Sequence, residues 1–373
     1  MSSCISAIGI ANPPNHIPQN TIYGFMEKAF GLDKTDAARL KKIYDNSAIN
    51  HRYSAIPDFG LDDFAGNQFF PQNDLLEPFP DTKKRMGFYR QEAIKIAMQA
   101  AQNCLAAFDA SFTGKISHLI TVSCTGMYAP GIDIDLIENL GLNRHAERTC
   151  INFMGCYGSI NALKVADTIC RANPEAKVLI VSVELCTLHF QKENTLENWI
   201  ANSLFSDGAA AVIVENTDKR SLTKPYLSLK SFYAEYIYEA KDEMNWQIGN
   251  FGYEMILTSK VSKQIQKHIR PLADQVLQKA GLVLEDIDRF AIHPGGKKIL
   301  DAAEAGLGIC ACKNSMAHQV LAEYGNMSSA TILFVLQKIL DEKAEQASQN
   351  ILGFAFGPGL TVESLVMQKQ LHE

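Results

Sequence analysis

Short apolar runs recur along this chain between segments of helical periodicity, and that alternation limits its fold more than any other feature. Lys177-Val-Leu-Ile-Val-Ser-Val-Glu184 and Gly208-Ala-Ala-Ala-Val-Ile-Val-Glu215 are nearly continuous apolar stretches of strand length. Strands with so few polar residues must be covered on both faces, which calls for helices above and below a sheet. Helices are expected at 21–31, 34–46 and 83–109, ahead of a strand at 118–124, a helix at 133–142 and a strand at 148–154. A second series follows, with strand-like 226–236, a helix at 259–281, a strand at 289–294 and helices at 297–308, 318–324 and 327–346. Strands at 351–356 and 361–369 close it around Gly357-Pro-Gly359. Both series run strand, helix, strand, helix, strand. The pattern predicts an α/β protein of layered sheets and helices, with a hint of internal duplication.

The polar stretch after Asn216 is the natural seam, dividing residues 1–220 from 221–373. Residues 54–82, rich in Pro, Asp, Asn and Phe, read as an ordered surface excursion. A net charge of -6 argues against a broad basic face for nucleic acid. No stretch approaches the ~18 consecutive apolar residues of a membrane span. The N-terminus has no basic region ahead of its apolar run, so a soluble cytoplasmic protein is expected. Nine cysteines, odd in number and irregular in spacing, point to a reducing compartment rather than a disulfide framework. Cys310-Ala-Cys312 is the one close pair, with no second pair at zinc-ligand spacing, so two packed apolar side chains and no metal are expected.

Reactive residue types stand beside glycines at three places. In Asn152-Phe-Met-Gly-Cys156-Tyr-Gly-Ser-Ile-Asn161 an apolar run ends and Ile160, Leu163, Ala166 and Ile169 begin a helical repeat. Cys156 therefore falls at a helix N-terminus, where partial positive charge favours the thiolate. In Ile292-His293-Pro-Gly-Gly296 a histidine ends a strand, and in Tyr324-Gly-Asn326-Met-Ser-Ser-Ala330 an asparagine precedes an apolar helix as its expected cap. Cys, His and Asn together suit thioester chemistry. A thiolate takes an acyl group from a thioester, and two N–H donors stabilise the enolate formed when a malonyl group loses CO2. Decarboxylation creates the carbanion, so no second thiol is needed as base. The late glycine-rich turn, Phe356-Gly-Pro-Gly-Leu360, indeed has no cysteine.

These segments, with Leu204-Phe205-Ser-Asp-Gly-Ala-Ala-Ala211 and Gly353-Phe-Ala-Phe-Gly-Pro-Gly-Leu-Thr-Val-Glu363, resemble the type III polyketide synthases. That is the chalcone synthase-like branch of the thiolase superfamily, and the resemblance covers most of the chain. It implies the thiolase fold, two pseudo-duplicated α/β halves layered α-β-α-β-α. It implies Cys156 as nucleophile, His293 and Asn326 as the decarboxylation and oxyanion site, and His293 as the group that keeps Cys156 ionised. Phe205 matches the aromatic gatekeeper between the CoA tunnel and the cavity. Met255 stands where the family has a second aromatic, with Tyr253 as a substitute if the register slips. Cys124, His189 and Ala129 depart from the plant pattern of cavity-lining positions, while Ser328 matches it; Ala129 lies where the neighbouring subunit usually inserts a Met. His189 is read equally well as a cavity wall and as a satisfied core histidine.

Arg39, Lys42 and Asn46 match three basic helix positions that hold CoA phosphates in plant members. Asn46 drops the third charge, so either CoA binds more weakly or an acyl carrier protein delivers the starter. The resemblance further implies a homodimer, CoA thioesters as substrates and no cofactor. Two rivals are a single-round ketoacyl-ACP synthase III-like enzyme and a catalytically silent, substrate-holding relative.

Overall fold

The computed structural model describes residues 3–217, 225–343 and 348–371. Its centre is a nine-stranded sheet. The order is Arg289–Ile292, Ser348–Gly357, Thr361–Gln370, Tyr226–Tyr236, Ser3–Ala11, Asp207–Asn216, Lys177–Leu185, His118–Ser123 and Glu147–Asn152. The two halves of this sheet repeat one pairing scheme. In the first, Ser3–Ala11 pairs antiparallel with Asp207–Asn216, that strand antiparallel with Lys177–Leu185, and the last lies parallel to His118–Ser123. In the second, Tyr226–Tyr236 pairs antiparallel with Thr361–Gln370, that strand antiparallel with Ser348–Gly357, and the last lies parallel to Arg289–Ile292. The halves join where Cys4 and Ile5 face Ser228 and Leu227. The duplication hinted at in the sequence is thus a repeat of topology.

Strand alternation decides what each layer packs against. Along Asp207–Asn216, Ala209, Ala211 and Ile213 share a core with Ala93, Ala97 and Ala100 of the helix Thr82–Leu105. Ala210, Val212 and Val214 face the other way, into a core with Ile160, Leu163 and Ala166 of the helix Gly158–Ala172. The neighbouring strand Ser3–Ala11 approaches the same helix closely enough to require glycine, since a Cβ on Gly9 would lie 2.1 Å from the Cys104 nitrogen. The helix Thr331–Asp341 buries Ile332, Leu333, Phe334, Val335 and Leu336 in succession, the signature of a helix covered on all sides. It belongs with Gly158–Ala172 in the central layer. The helix Val261–Ala280 packs on Tyr226–Tyr236 and Thr361–Gln370, as the outer layer of the second half.

Several expectations change. Residues 54–82 are ordered but not a surface excursion, because Phe59, Phe64, Phe69, Phe70, Leu76 and Phe79 are buried with Phe25 and Phe190. Their polar neighbours serve turns: buried Asp58 accepts N–H bonds from Gln68, Phe69 and Phe70 at 2.8, 3.0 and 2.8 Å. The expected helix 327–346 is a 3-10 turn, Ser328–Ala330, followed by Thr331–Asp341. Residues 218–224 of the expected seam, and with them the boundary at 220, lie outside the described residues. The hairpin Met244–Gly249 with Gly252–Leu257, the helix Leu196–Leu204 and the pair Asn15–Pro18 with His51–Ser54 were not foreseen. No helix among the described residues is long and apolar enough to cross a membrane.

Candidate active site

Two 3-10 turns, Gly155–Tyr157 and Ser328–Ala330, lead into the two central helices and pack against each other. Ser159 Oγ donates to the Ser329 carbonyl at 2.6 Å, tying one entry to the other. The backbone is strained at this meeting point, with positive φ at Phe153 (62°) and Ser328 (49°). Such conformations cost of order 1–3 kcal/mol each and persist where the surroundings enforce them. Gly155 has φ 78°. A Cβ there would also lie 2.5 Å from Pro358 Cδ, so only glycine fits before Cys156.

Cys156 thus stands at the entry of Gly158–Ala172, as its sequence context indicates, and its thiol is hydrogen-bonded by Ser328 and Asn326. Asn326 is fixed at four points. Its N–H donates to the Leu204 carbonyl at 2.9 Å, and its own carbonyl accepts from Ser206 at 2.9 Å. Its Oδ1 accepts from the Ser328 N–H at 2.8 Å, and its Nδ2 reaches the Gly295 carbonyl at 3.3 Å. It therefore caps the 3-10 turn and not the helix behind it, whose cap position is Ala330. His293 ends the strand Arg289–Ile292, with its N–H on the Phe354 carbonyl at 2.8 Å and its ring against Gly295. The residue is 1% exposed, and neither ring nitrogen has a hydrogen-bond partner among the described residues. Two unpaired buried nitrogens are costly unless they serve a ligand.

The electrostatics bear on one expectation. Burial pushes the Cys156 thiol up to about 12, against the hydrogen bonds from Ser328 and Asn326. Burial also pushes the His293 imidazole down to about 3. Desolvation thus works against the charged form of both side chains and opposes the thiolate that the helix N-terminus and His293 are expected to favour.

Two adjoining cavities meet here. The inner one is lined by Cys156, Cys124, Thr125, Ser328, Met244 and Pro358. The outer one is lined by Ile22, Met26, Arg52, Phe59, Phe190, Asn198 and Asn202 among others. Phe205, Met255, Cys186 and Trp246 line both and form the partition between them. Phe205 is anchored by a bridge to Asn326 and by Arg52 Nη1 on its carbonyl at 2.7 Å. The Trp246 indole donates to the Cys124 carbonyl at 2.7 Å and stands edge-on to His189 and Tyr253. His189 stacks on Tyr253 with ring centroids 4.2 Å apart. Its Nδ1 accepts from the Tyr253 N–H at 2.9 Å, and its Nε2 donates to the Thr125 carbonyl at 2.6 Å. His189 is therefore both a wall of the outer cavity and a satisfied buried histidine, with its pKa lowered by burial to about 3.

The chalcone and stilbene synthase N-terminal domain matches residues 2–218, and the corresponding C-terminal domain matches residues 228–370. The chain belongs to the chalcone and stilbene synthase family. A putative chalcone synthase of Bacillus subtilis is 31% identical over 371 residues, 97% of each chain. The α-pyrone synthesis polyketide synthase-like Pks18 of Mycobacterium tuberculosis is 30% identical over 338 residues, 90% of this chain and 83% of that one. The crystal structure of PKS-I from the brown alga Ectocarpus siliculosus superposes with TM-score 0.90 at 30% identity, covering 99% of this chain and 98% of that one. The protein is a type III polyketide synthase with a thiolase-like fold, a polyketide-forming condensing enzyme; the single-round ketoacyl-ACP synthase reading is not favoured.

Within this family frame the remaining sequence candidates separate by position. Cys124 and Ser328 face the inner cavity and meet each other at 3.1 Å, Sγ to Oγ. Tyr253 is buried behind Met255 and lines the outer cavity, so the substitute register is not adopted at the partition. Ala129 is exposed, beside a cis bond to Pro130, and lines neither cavity. Arg39, Lys42 and Asn46 lie on the exposed side of the helix Lys34–Asp45. Arg39 pairs with Asp36 at 3.0 Å, and Asn46 Nδ2 donates to the Lys42 carbonyl at 2.7 Å as the helix end turns. Cys310 and Cys312 are exposed, not packed, because the turn that carries them runs along the surface. No cluster of three or more potential metal ligands occurs among the described residues.

Three residues of the site escaped sequence reasoning. Trp246 lies in the unforeseen hairpin, and nothing in its local pattern marks it. Glu184 did carry a signal, a carboxylate inside an apolar strand. It accepts from the Cys124 N–H at 3.0 Å and from Thr125 Oγ1 at 2.7 Å, with burial raising its pKa. Arg52, fully buried, holds Gln19 at 2.7 Å as well as Phe205, and it sets the mouth of the partition.

Proposed function

We propose that the protein is an acyltransferase that loads an acyl starter from a CoA thioester onto Cys156 and extends it with malonyl-CoA by iterative decarboxylative Claisen condensation. The supporting observation is Asn326, which hydrogen-bonds the Cys156 thiol and reaches through Nδ2 to the Gly295 carbonyl, beside the unpaired ring of His293. In loading, the Cys156 proton passes to His293 as the sulfur attacks the thioester carbon, and the departing CoA sulfur takes that proton up. In extension, the malonyl C–C bond breaks, CO2 leaves, and the electron pair goes to an enolate oxygen that accepts from His293 and Asn326. The enolate carbon then attacks the Cys156 thioester carbonyl, the C–S bond breaks, and the extended β-ketoacyl chain is left on CoA while the Cys156 sulfur, released as thiolate, regains a proton from solvent before taking the chain back for the next round. Decarboxylation supplies the carbanion, so the chemistry needs no metal or organic cofactor.

The rigid Trp246 partition favours a short reaction chamber and few extensions. A triketide or tetraketide α-pyrone is the product class this chamber suits, in line with the α-pyrone chemistry named for the Mycobacterium relative. We also assign Arg39 and Lys42 to the CoA phosphates, and a cytoplasmic homodimer as the working form. In support of the dimer, Glu147–Asn152 is a largely exposed edge strand on the same half-sheet as the strand that leads to the Ala129 loop. Incubation with malonyl-CoA and acyl-CoA starters of graded length, read by product mass, tests the reading. Pyrones of tri- or tetraketide mass are expected, and a single β-ketoacyl product would overturn it.

A further inference from the structure

We propose that Cys310 and Cys312 form a thiol–disulfide exchange site, a surface dithiol that reacts with low-molecular-weight disulfides and closes to an internal disulfide. Five of the nine cysteines are buried and Cys156 lies in the catalytic junction, which leaves Cys150, Cys310 and Cys312 exposed. The last two share one short turn, Ala311–Asn314, whose N-cap is Cys310 itself. The Cys310 Sγ accepts the Cys312 N–H at 3.1 Å, so the backbone already holds the second cysteine over the first sulfur. The interaction between the two thiols lowers the Cys310 pKa and raises that of Cys312. It divides the labour of exchange into an attacking and a resolving thiol.

The step balances as follows. Cys310, as thiolate, attacks one sulfur of a disulfide RSSR; a mixed disulfide forms and RS⁻ leaves as RSH with the proton Cys310 released. Cys312 then attacks the Cys310 sulfur, giving its proton to the second departing RS⁻. The protein is oxidised by two electrons, and one RSSR becomes two RSH.

The turn is not an isolated loop. Asn314, its last residue, is fully buried; its Oδ1 accepts the Ile292 N–H at 3.3 Å, and its Nδ2 donates to Glu304 Oε1 at 2.8 Å. Lys313 Nζ holds the Ile287 carbonyl at 2.7 Å. Ile292 immediately precedes His293. Closing the disulfide removes the Cys310 sulfur as a cap for the turn, so the change is transmitted to the strand that carries His293.

The test uses the reduced full-length protein with excess glutathione disulfide. Intact mass should show loss of two hydrogens, and peptide mapping should place the link between Cys310 and Cys312. Cys312→Ser should retain a glutathione adduct at Cys310, formed at least about tenfold faster than the adduct at Cys312 in Cys310→Ser. Stable adducts on both cysteines of the wild type, or a Cys312 as fast as Cys310 in these variants, would overturn the site. Hydrogen exchange in the peptide 289–296 should quicken on oxidation, and an unchanged rate would overturn the link to the His293 strand. None of these readouts uses polyketide formation, so the outcome is separate from that of the proposed reaction.

Discussion

Gly155→Ala isolates the local geometry that aims Cys156. The residue has φ 78°, and a Cβ would lie 2.5 Å from Pro358 Cδ and 3.2 Å from Pro358 Cγ. The left-handed conformation costs an L-residue roughly 1–2 kcal/mol. Relieving the overlap with a proline ring, which has no rotamer to escape into, adds about 1–3 kcal/mol. Together the strain is about 2–5 kcal/mol, enough to move the Gly155–Tyr157 turn rather than be absorbed in place. A shift of about 1 Å in a nucleophile costs on the order of 100-fold in rate. Gly24→Ala serves as the control, because nothing lies within 4 Å of its added Cβ and its φ is not positive. Acyl loading from a short acyl-CoA, followed by intact-protein mass, and melting temperature are measured on all three proteins. Gly155→Ala should load about 100-fold more slowly and melt several degrees lower, with Gly24→Ala at or above the wild-type melting temperature. Wild-type loading and melting in Gly155→Ala would show that the turn does not aim the thiol, and the argument from backbone fit would fall.

Trp246→Ala should join the inner and outer cavities and shift product masses toward longer starters or additional extensions, at about 3–5 kcal/mol of stability; an unchanged product profile would remove Trp246 as the length-limiting wall. Asn326→Asp keeps the Oδ1 that Ser328 uses but loses the Nδ2 donor. Malonyl-CoA decarboxylation should fall about 10²–10³-fold, and a wild-type rate would mean Asn326 does not meet the enolate. His189 and His293 both have folded pKa values near 3 against 6.5 for the free side chain. Each is neutral when folded while the unfolded chain takes up a proton, so stability falls as pH drops from 6.5 toward 3. The slope from these two groups is about 1.4 kcal/mol per histidine per pH unit. Chemical denaturation from pH 7 to 4 measures it, and His189→Gln should flatten it; a slope unaltered by that change would contradict the assignment.

What the sequence made legible followed from local rules. The strands Lys177–Leu185 and Asp207–Asn216 were readable because both faces are buried, so their periodicity is replaced by an unbroken apolar run. Cys156, His293 and Asn326 stood out because each stands beside an element boundary marked by glycine. The misreadings have a common cause in burial, which no window of sequence reports. Residues 54–82 look polar, yet Asp58 spends its carboxylate on three backbone N–H groups and leaves the phenylalanines to the core. A thiol at a helix start looks activated, yet desolvation governs the Cys156 pKa. Trp246 was invisible because its partners, Cys124, His189 and Tyr253, come from distant segments.

The repeat of topology accounts for where the chemistry sits. Matching the half-sheets strand by strand sets Lys177–Leu185 against Ser348–Gly357, and the helix before each, Gly158–Ala172 and Thr331–Asp341, is the central one of its half. Each of those helices is entered through a 3-10 turn with a positive-φ residue at or near its start, Gly155 in one and Ser328 in the other. A pseudo-symmetric packing therefore brings two strained helix entries face to face, with partial positive charge from both N-termini directed at one point. The halves differ in what they place there. In the proposed reaction the first presents the thiol that forms and releases a thioester, and the second presents the Asn326 amide as donor. His293 arrives from the strand that matches His118–Ser123, whose own end carries Cys124. A nucleophile and an oxyanion site could not both occupy one helix entry, because the thioester carbon and the malonyl carbonyl must lie side by side. The repeat of topology supplies the second entry, and that places the proposed site at the junction between the halves.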